Sequence, residues 1–456
     1  MAAIGTGLGI FDKAFDGNLS DLHPRAEKAG DASQVPSKLR RLMSQQNAVS
    51  PSRYAWGVVA MLWPVVVLNY LDRQMLSTMR LSIKVDITEL QSAEYFGWLM
   101  AIFLWIYAIC SPLGGAIADR VSRKWLIIAS LGVWSLVTLL MGQAATFREM
   151  FVLRAIMGVS EALYMPAALA LIADYHRGPT RSLAVGAHLS GVYMGQALGG
   201  IGGWVAQEIS WRAAFVGCGA IGVVYAFLLM AFLRDTDRGN VGETTAAAAT
   251  PDASGGMGVN WRGFVILILC FSLPSLSGWA VKNWLPTLLQ DRFQMAQAAS
   301  GLWATITHAG PAFCGVIMGG WLADRWSRQN VRGRTYLSAL GLLLLVPGIL
   351  IIGLAPGFAF AIAGSVLYGF GFGMFDANNM PILCQLAPAR FRATGYGLLN
   401  FFGIASGAAL TPLLGKLKDS GVPLAIGFAY CAIPALLAAM LMFLLRPTNR
   451  DRGVAG

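Results

Sequence analysis

Twelve apolar stretches, each long enough to form a membrane-crossing helix of about 20 residues, recur along this chain and constrain its fold more than any other feature. Each stretch is bounded by charges, Pro or Gly, and the predicted spans are 54–76, 93–115, 124–145, 149–173, 181–206, 211–233, 261–289, 298–322, 335–354, 357–384, 391–415 and 422–445. Only 12% of the 456 residues are charged and 56% are apolar, so a water-soluble globule of this composition would lack polar residues to cover its surface. The sequence therefore predicts an all-α polytopic membrane protein with twelve transmembrane helices.

The polar segments divide the predicted helices into two groups of six. The interior gap 234–260 is rich in Ala, Thr, Gly and Asp and has no apolar period, which is typical of a flexible linker. It separates a predicted bundle at 54–233 from a second at 261–445, with polar tails at 1–53 and 446–456. Because twelve is even, both tails are expected on the same side of the membrane, and the first tail lacks the pattern of a cleavable signal peptide.

The distribution of basic residues predicts the orientation. The formal net charge is +11, but no run of five or more Lys or Arg occurs, so we expect no nucleic-acid partner. Twelve Lys and Arg lie in the loops and tail on the side of the termini, against six in the opposite loops. Because cytoplasmic loops are enriched in Lys and Arg, both termini are predicted to be cytoplasmic, in an inner or plasma membrane.

No motif in the chain indicates a metal, a cofactor or an enzyme. The six cysteines lie singly within apolar segments, as packing residues do, and no HExxH or GxSxG motif occurs. We expect no cofactor and no metal, and a protein that functions as a monomer in the lipid bilayer.

Two motifs occur once in each half of the chain. The sequence GAIADRVSRK at 115–124 returns as GWLADRWSR at 320–328, an offset of 205 residues. The sequence GVSEALYMP at 158–166 returns as GMFDANNMP at 373–381, an offset of 215 residues. Two matches at nearly one offset predict a duplicated, pseudo-symmetric pair of six-helix bundles with a binding site between them.

These motifs resemble those of the major facilitator superfamily, and the resemblance extends from about residue 54 to 445. The run NYLDR at 69–73, with Arg154 and Glu161, is similar to the anion:cation symporter branch, whose members include hexuronate, aldonate and sialic-acid carriers. The resemblance implies import of a small organic anion, such as a sugar acid, with protons by rocker-switch alternating access. A neutral-sugar proton symporter or an efflux carrier of the same superfamily is the alternative.

The repeated loop motif implies a gate. By the resemblance, its residues hold the two halves together in the outward-open state; simple anchoring at the cytoplasmic surface is the alternative. The candidate gating residues are Gly115, Asp119, Arg120, Arg123, Asp324, Arg325 and Arg328.

Charged residues inside the first four spans are the candidates for proton coupling, because a charge in the apolar core survives only beside a cavity or a partner. Asp72 and Arg73 end the first span and are predicted to face different surroundings, about 100° apart on the helix. Arg154 and Glu161 are two turns apart on one face of the fourth span, with Gly158 between them predicted to leave an open groove. We predict Asp72 and Glu161 as proton-coupling acids, Arg73 as a substrate ligand, and Arg154 as a substrate ligand or as the switchable partner of Glu161. Headgroup-level anchoring of the first pair and a static ion pair for the second are the alternatives.

The second half supplies a base where the first half has an acid, since Lys282 lies 210 residues after Asp72. An anchoring lysine at the headgroup level is the alternative. Asp376 replaces Glu161 and is predicted as a further coupling acid. Amides and an aromatic ring within the spans are candidates for reading hydroxyl groups or stacking on a sugar ring, with helix packing as the alternative. The predicted substrate-binding residues of this second set are Tyr70, Gln196, Lys282, Asn378, Asn379 and Asn400.

Overall fold

A computed structural model describes residues 53–118, 120–176, 180–235, 260–387 and 389–445. Its helices are α1 (Arg53–Thr78), α2 (Arg80–Asp86), α3 (Ala93–Ala118), α4 (Arg123–Met141), α5 (Phe147–Tyr175), α6 (Arg181–Leu198), α7 (Gly200–Glu208), α8 (Trp211–Phe232), α9 (Trp261–Phe293), α10 (Gln297–Ser327), α11 (Gly333–Leu354), α12 (Phe358–Asp376), α13 (Asn379–Leu386), α14 (Ala389–Asp419), α15 (Leu424–Tyr430) and α16 (Ala432–Leu444). A single 3₁₀ turn, Thr88–Gln91, lies between α2 and α3. The first tail and most of the predicted linker lie outside the described residues.

Eleven crossings in the described ranges are long and apolar enough to span a membrane, and they match eleven of the twelve predicted spans. The remaining crossing, predicted at 181–206, is present as α6 followed by α7, with a break at Gly199. Seven glycines between residues 186 and 203 lower the hydropathy of this crossing and leave its backbone free to bend. The expected twelve-helix, all-α fold is therefore confirmed, with its fifth crossing less regular than the sequence predicted.

The glycines of α6 and α7 allow close helix packing. A side chain at Gly195 would place its Cβ 2.4 Å from the carbonyl oxygen of Val67 in α1. A side chain at Gly200 would come within 2.6–2.8 Å of Thr305, Leu302 and the Gly301 carbonyl in α10. Because even a methyl group cannot fit at these distances, the glycines set the approach of the fifth crossing to both halves.

The two halves, which we define as residues 53–235 and 260–445, meet along two helix pairs. α3 packs on α14, and α6 with α7 packs on α10. We call the end of the bundle that holds Arg53 and Leu445 the terminal face, and the end that holds Thr78 and Ala93 the distal face. The two halves are in close contact on the distal face, where a Cβ added at Gly97 would lie 2.6 Å from the Cα of Pro412 in the other half.

Hydrogen bonds between the halves concentrate near the distal face. Asp419 accepts bonds from the backbone amides of Ala93 and Glu94, both at 2.9 Å, and from the Ser92 hydroxyl at 2.6 Å. Gln297 donates to the Ser82 hydroxyl at 2.7 Å and accepts from the Ser82 amide at 2.9 Å. These contacts join α3 and α2 of the first half to α14 and α10 of the second, and we call this set of six residues the distal seal.

Candidate functional site

Four charged side chains of α1 and α5 lie together inside the first half, and we call them the first-half cluster: Asp72, Arg73, Arg154 and Glu161. The Arg73 Nε donates to Glu161 Oε2 at 2.5 Å, and the Glu161 side chain is fully buried. Asp72, 1% exposed, accepts a hydrogen bond from the Thr138 hydroxyl in α4. The two neighbours on α1 therefore face different partners, as their helical angle predicted.

The partner of Glu161 differs from the one that sequence spacing suggested. Arg154 lies two turns away on the same helix and is within electrostatic reach of Glu161 and Asp72, but its nearest described hydrogen-bond partner is the Met157 sulfur at 3.3 Å. The ion pair is instead made by Arg73, from the neighbouring helix α1. Spacing along one helix cannot show which side chain of another helix reaches the same carboxylate.

The open groove expected at Gly158 is filled, and that prediction was wrong. A Cβ at Gly158 would lie 2.9 Å from the Phe103 carbonyl oxygen and 3.1 Å from the Cβ of Ile106, both in α3. The glycine therefore serves close packing of α3 on α5. This packing places the Phe103 ring between the two arginines, 4.9 Å from the Arg73 Cζ and 4.7 Å from the Arg154 Cζ.

Aromatic rings surround the Arg73 guanidinium. Its Cζ lies 4.7 Å from the ring centre of Tyr70 and 4.4 Å from that of Tyr107, in addition to the Phe103 contact. These distances are typical of cation–π interactions, which partly replace the hydration that the cation loses on burial. Arg73 remains about 13% exposed, so one edge of the guanidinium is accessible.

Within the spans of the second half, a cation of α9, Lys282, lies near a carboxylate of α12, Asp376. The Lys282 Nζ lies 5.2 Å from the Trp279 ring centre and 5.7 Å from that of Phe372, and it makes no hydrogen bond or ion pair with any described residue. Asp376, at the end of α12, is within electrostatic reach of Lys282. Asp376 is exposed and accepts a 3.5 Å bond from the Tyr193 hydroxyl of the first half, so it faces the space between the halves.

Three of the four predicted amides have partners within their own half. Asn378 donates to the Met374 carbonyl at 3.0 Å, at the break between α12 and α13, and Asn379 donates to Asp376 at 3.2 Å. Asn400 is hydrogen-bonded to the Tyr396 hydroxyl. Gln196 is 7% exposed and lies on α6, one residue after the tightly packed Gly195.

Four tyrosines, three of them not singled out as ligands by the sequence, lie between the charges of the two halves. Tyr70 lies within electrostatic reach of Tyr107 and Tyr396, and Tyr396 lies within reach of Asp376. Tyr193 joins the same group through Asp376 and packs its ring 5.9 Å from Phe313. Of the aromatic neighbours, Trp279 could have been found from sequence, since it precedes Lys282 by three residues on one helix face. Tyr107 and Tyr396 carry no such signal, because tertiary packing brings them in.

The described gating candidates bond within their own halves. Arg123 forms an ion pair with Asp174, and Asp324 accepts from Arg334 at 2.7 Å. Arg120, Arg325 and Arg328 are exposed at the terminal face, and a Cβ at Gly115 would meet open space. Asp119 lies outside the described residues. The ion pairs of Arg123 and Asp324 thus lie within one half each, whereas the hydrogen bonds of the distal seal join the two halves.

Comparison with known sequences identifies the family. The Major Facilitator Superfamily profile matches residues 62–412, which is more than half of the chain. The chain belongs to the major facilitator superfamily. It is therefore a multi-pass membrane transporter and not an enzyme, as its sequence motifs predicted.

Relatives of this transporter carry organic acids of two kinds. It is 26% identical over 430 residues to a D-galactonate transporter of Escherichia coli, covering 88% of this chain and 97% of the relative. It is 27% identical over 367 residues to a 3-(3-hydroxy-phenyl)propionate transporter of Escherichia coli, covering 78% of this chain and 85% of the relative. These relatives support the transport of organic anions across a membrane.

The fold of the transporter matches a solved structure. A bacterial homolog of the human lysosomal transporter Spinster, in an inward-facing and occupied conformation, superposes with a TM-score of 0.71 at 20% identity, covering 87% of this chain and 97% of that one. At this identity the match shows the shared fold.

Proposed function

We propose that this transporter imports a small organic carboxylate together with protons, by alternating access of one site between its halves. The buried Arg73–Glu161 ion pair carries the proposal. An ionised carboxylate without water is tolerated only when a cation compensates it, so the pair holds Glu161 charged and Arg73 occupied. A proton on Glu161 would remove its charge and release the partly exposed guanidinium to a substrate carboxylate.

The second half completes the proposed site. The Lys282 ammonium has no hydrogen-bonded partner among the described residues and only Asp376 as an attracting charge, so it is available to a second edge of the anion. Asp376 in its ionised form competes with the anion for Lys282, and protonation of Asp376 would end that competition. Asp72 and Arg154, deeper in the first half, set the electrostatic balance around Glu161.

The orientation completes the cycle. With the terminal face in the cytoplasm, as the basic residues of its loops predict, the distal seal closes the outer side and the site would exchange with the cytoplasm in this conformation. Protons taken up outside would be lost to the less acidic cytoplasm. The loop residues 115–123 and 324–328 would hold the opposite conformation, in which the terminal face closes.

The cargo is a carboxylate in each version of this proposal. The sugar acid predicted from the sequence agrees with the galactonate relative, and an aromatic acid agrees with the hydroxyphenylpropionate relative. Arg73 lies beside three aromatic rings and Lys282 beside two. The charges of these two cations are compatible with either kind of acid.

A proteoliposome experiment with Glu161→Gln tests the proposed coupling. Gln keeps the shape of Glu161 but cannot take up a proton, so we expect the variant to lose accumulation of a radiolabelled acid driven by an inward proton gradient and to keep substrate counterflow. Glu89→Gln, at an exposed carboxylate of the distal loop, is the matched control and is expected to behave as wild type. Protein-free liposomes measure passive entry of the acid. Accumulation that is unchanged in Glu161→Gln, or insensitive to the gradient in wild type, would contradict the proposal.

A further inference from the structure

The surroundings of the two cations also bear on the body of the cargo. Arg73 contacts the rings of Tyr70, Phe103 and Tyr107, and Lys282 contacts those of Trp279 and Phe372. A carboxylate bound at either cation would have its carbon skeleton against ring faces or edges. Such a surface stabilises a flat, apolar skeleton by burial and by ring–ring contact.

Groups able to read several hydroxyls are scarce at the same place. A polyhydroxylated acid needs a hydrogen-bond partner for most of its hydroxyls, because a buried hydroxyl without a partner is costly. The predicted amide readers are largely engaged: Asn378 bonds the Met374 carbonyl, Asn379 bonds Asp376, and Asn400 bonds Tyr396. The Gln196 amide and the tyrosine hydroxyls remain, and these can bond a few phenolic or carboxyl oxygens.

We infer that the cargo is an aromatic carboxylate, with its ring packed among the side chains that surround Arg73 and Lys282 and its carboxylate at one of these cations. This inference rests on the proposed function and narrows its substrate class. Tyr107 and Phe372 are the specificity-determining residues it names, one on each side of the space between the halves. Phe372 also stacks on Tyr368 at 6.1 Å and contacts His308 at 6.3 Å, which fixes the ring that Lys282 meets.

Binding to the purified full-length protein tests the inference without membrane permeation of the acid. Radiolabelled 3-hydroxybenzoate is bound in a scintillation proximity assay and displaced by unlabelled 3-hydroxybenzoate or gluconate. We expect gluconate to displace the label at least about tenfold less effectively, the difference that a ring–ring contact and its buried area provide. Displacement by gluconate that equals or exceeds that by 3-hydroxybenzoate, or no specific binding of the aromatic acid, overturns the inference.

Paired substitutions at Tyr107 separate its ring from its hydroxyl. Tyr107→Phe keeps the ring and is expected to bind 3-hydroxybenzoate within about threefold of wild type, whereas Tyr107→Leu is expected to bind about tenfold more weakly. Equal losses in the two variants would show that the hydroxyl matters and would overturn the inference. Phe264→Leu, at a buried ring away from both cations, controls for general destabilisation, and thermal unfolding without ligand confirms that each variant is folded.

The same probes distinguish this inference from the proposed function. Specific binding of the aromatic acid without gradient-driven accumulation would support the inference and contradict proton coupling. Gradient-driven accumulation of gluconate in preference to 3-hydroxybenzoate would support coupling and contradict the inference.

Discussion

The two halves of this transporter hold their charges in opposite ways. In the first half, two carboxylates and two guanidiniums form an electroneutral group, with Glu161 bonded to Arg73 and Asp72 bonded to Thr138. In the second half, the Lys282 ammonium lies over two rings and bonds no described carboxylate, and Asp376 is exposed. The halves share two sequence motifs, yet Arg73 and Glu161 of the first half are paired and the Lys282 ammonium of the second half is not paired with any described residue.

The physical lesson concerns the cost of rearrangement. A buried, bonded ion pair is expensive to break without a proton, and so it can make substrate binding depend on protonation. A cation held only by ring faces changes partner at little cost. We therefore expect substitutions in the first-half cluster to affect stability and coupling, and substitutions around Lys282 to affect affinity.

Arg73→Met tests the first-half cluster with the largest expected effect. It leaves Glu161 buried without its bonded cation, so we expect a loss of about 3–5 kcal/mol in the free energy of unfolding. The double variant Arg73→Met with Glu161→Met removes both charges and is expected to recover most of that stability while remaining inactive in transport. Unfolding in detergent monitored by intrinsic fluorescence measures both variants. A single variant as stable as wild type would show that the pair is dispensable to the fold.

Thr138→Val tests the other carboxylate of the first half. The substitution keeps the shape of the side chain and removes the hydroxyl that donates to Asp72, at a predicted cost of about 1–3 kcal/mol in unfolding free energy. Thr138→Ser retains the hydroxyl and serves as the matched control in the same unfolding measurement. If valine and serine behave alike, the hydrogen bond contributes nothing measurable and Asp72 is held by its charged neighbours.

Lys282→Met is expected to change the free energy of unfolding by less than about 1 kcal/mol, because no described carboxylate loses a bonded partner. The same variant should bind an anionic substrate about 10- to 100-fold more weakly, as the loss of one charge-assisted hydrogen bond predicts. Lys282→Arg keeps the charge and should retain most of the affinity. A large loss of stability with unchanged binding would reverse the contrast between the halves.

Asp376→Asn is predicted to have the smallest effect. The side chain is exposed and its bonds to Tyr193 and Asn379 are long, at 3.5 and 3.2 Å, so we expect unfolding to change by no more than about 0.5 kcal/mol. Removing its charge from the neighbourhood of Lys282 should tighten anion binding by about 2- to 5-fold, the range for exposed ion pairs. Isothermal titration calorimetry with unlabelled 3-hydroxybenzoate measures the affinity. Weaker binding in the variant would indicate that Asp376 itself contacts the cargo.

The fold could be predicted from the sequence because its signals are local. Spans of apolar residues and the repeated loop motif define the helices and their duplication. The fifth crossing was the exception, since its glycines and polar residues interrupt both the apolar pattern and the helix at Gly199.

The site could be predicted only in its residue types. Burial cost marks Asp72, Arg73 and Glu161 as candidate functional residues wherever they point, but the partner of Glu161 depends on how α1 crosses α5. The same limit applies to Asn378, because its hydrogen bond to the Met374 carbonyl follows from the helix break after α12. Tyr107 and Tyr396 were missed because aromatic residues in apolar spans are common and only packing distinguishes a ligand from a core residue.

The Asp419 contact has a consequence for the dynamics of α3. The carboxylate of Asp419, on the second half, supplies the hydrogen bonds that the first amides of this first-half helix cannot find within the helix itself. Any motion that parts the halves on the distal face leaves the Ala93 and Glu94 amides to water, so the first turn of α3 frays as that face opens. Deuterium uptake at these two amides would then report the fraction of molecules open on the distal face, without any label on the protein.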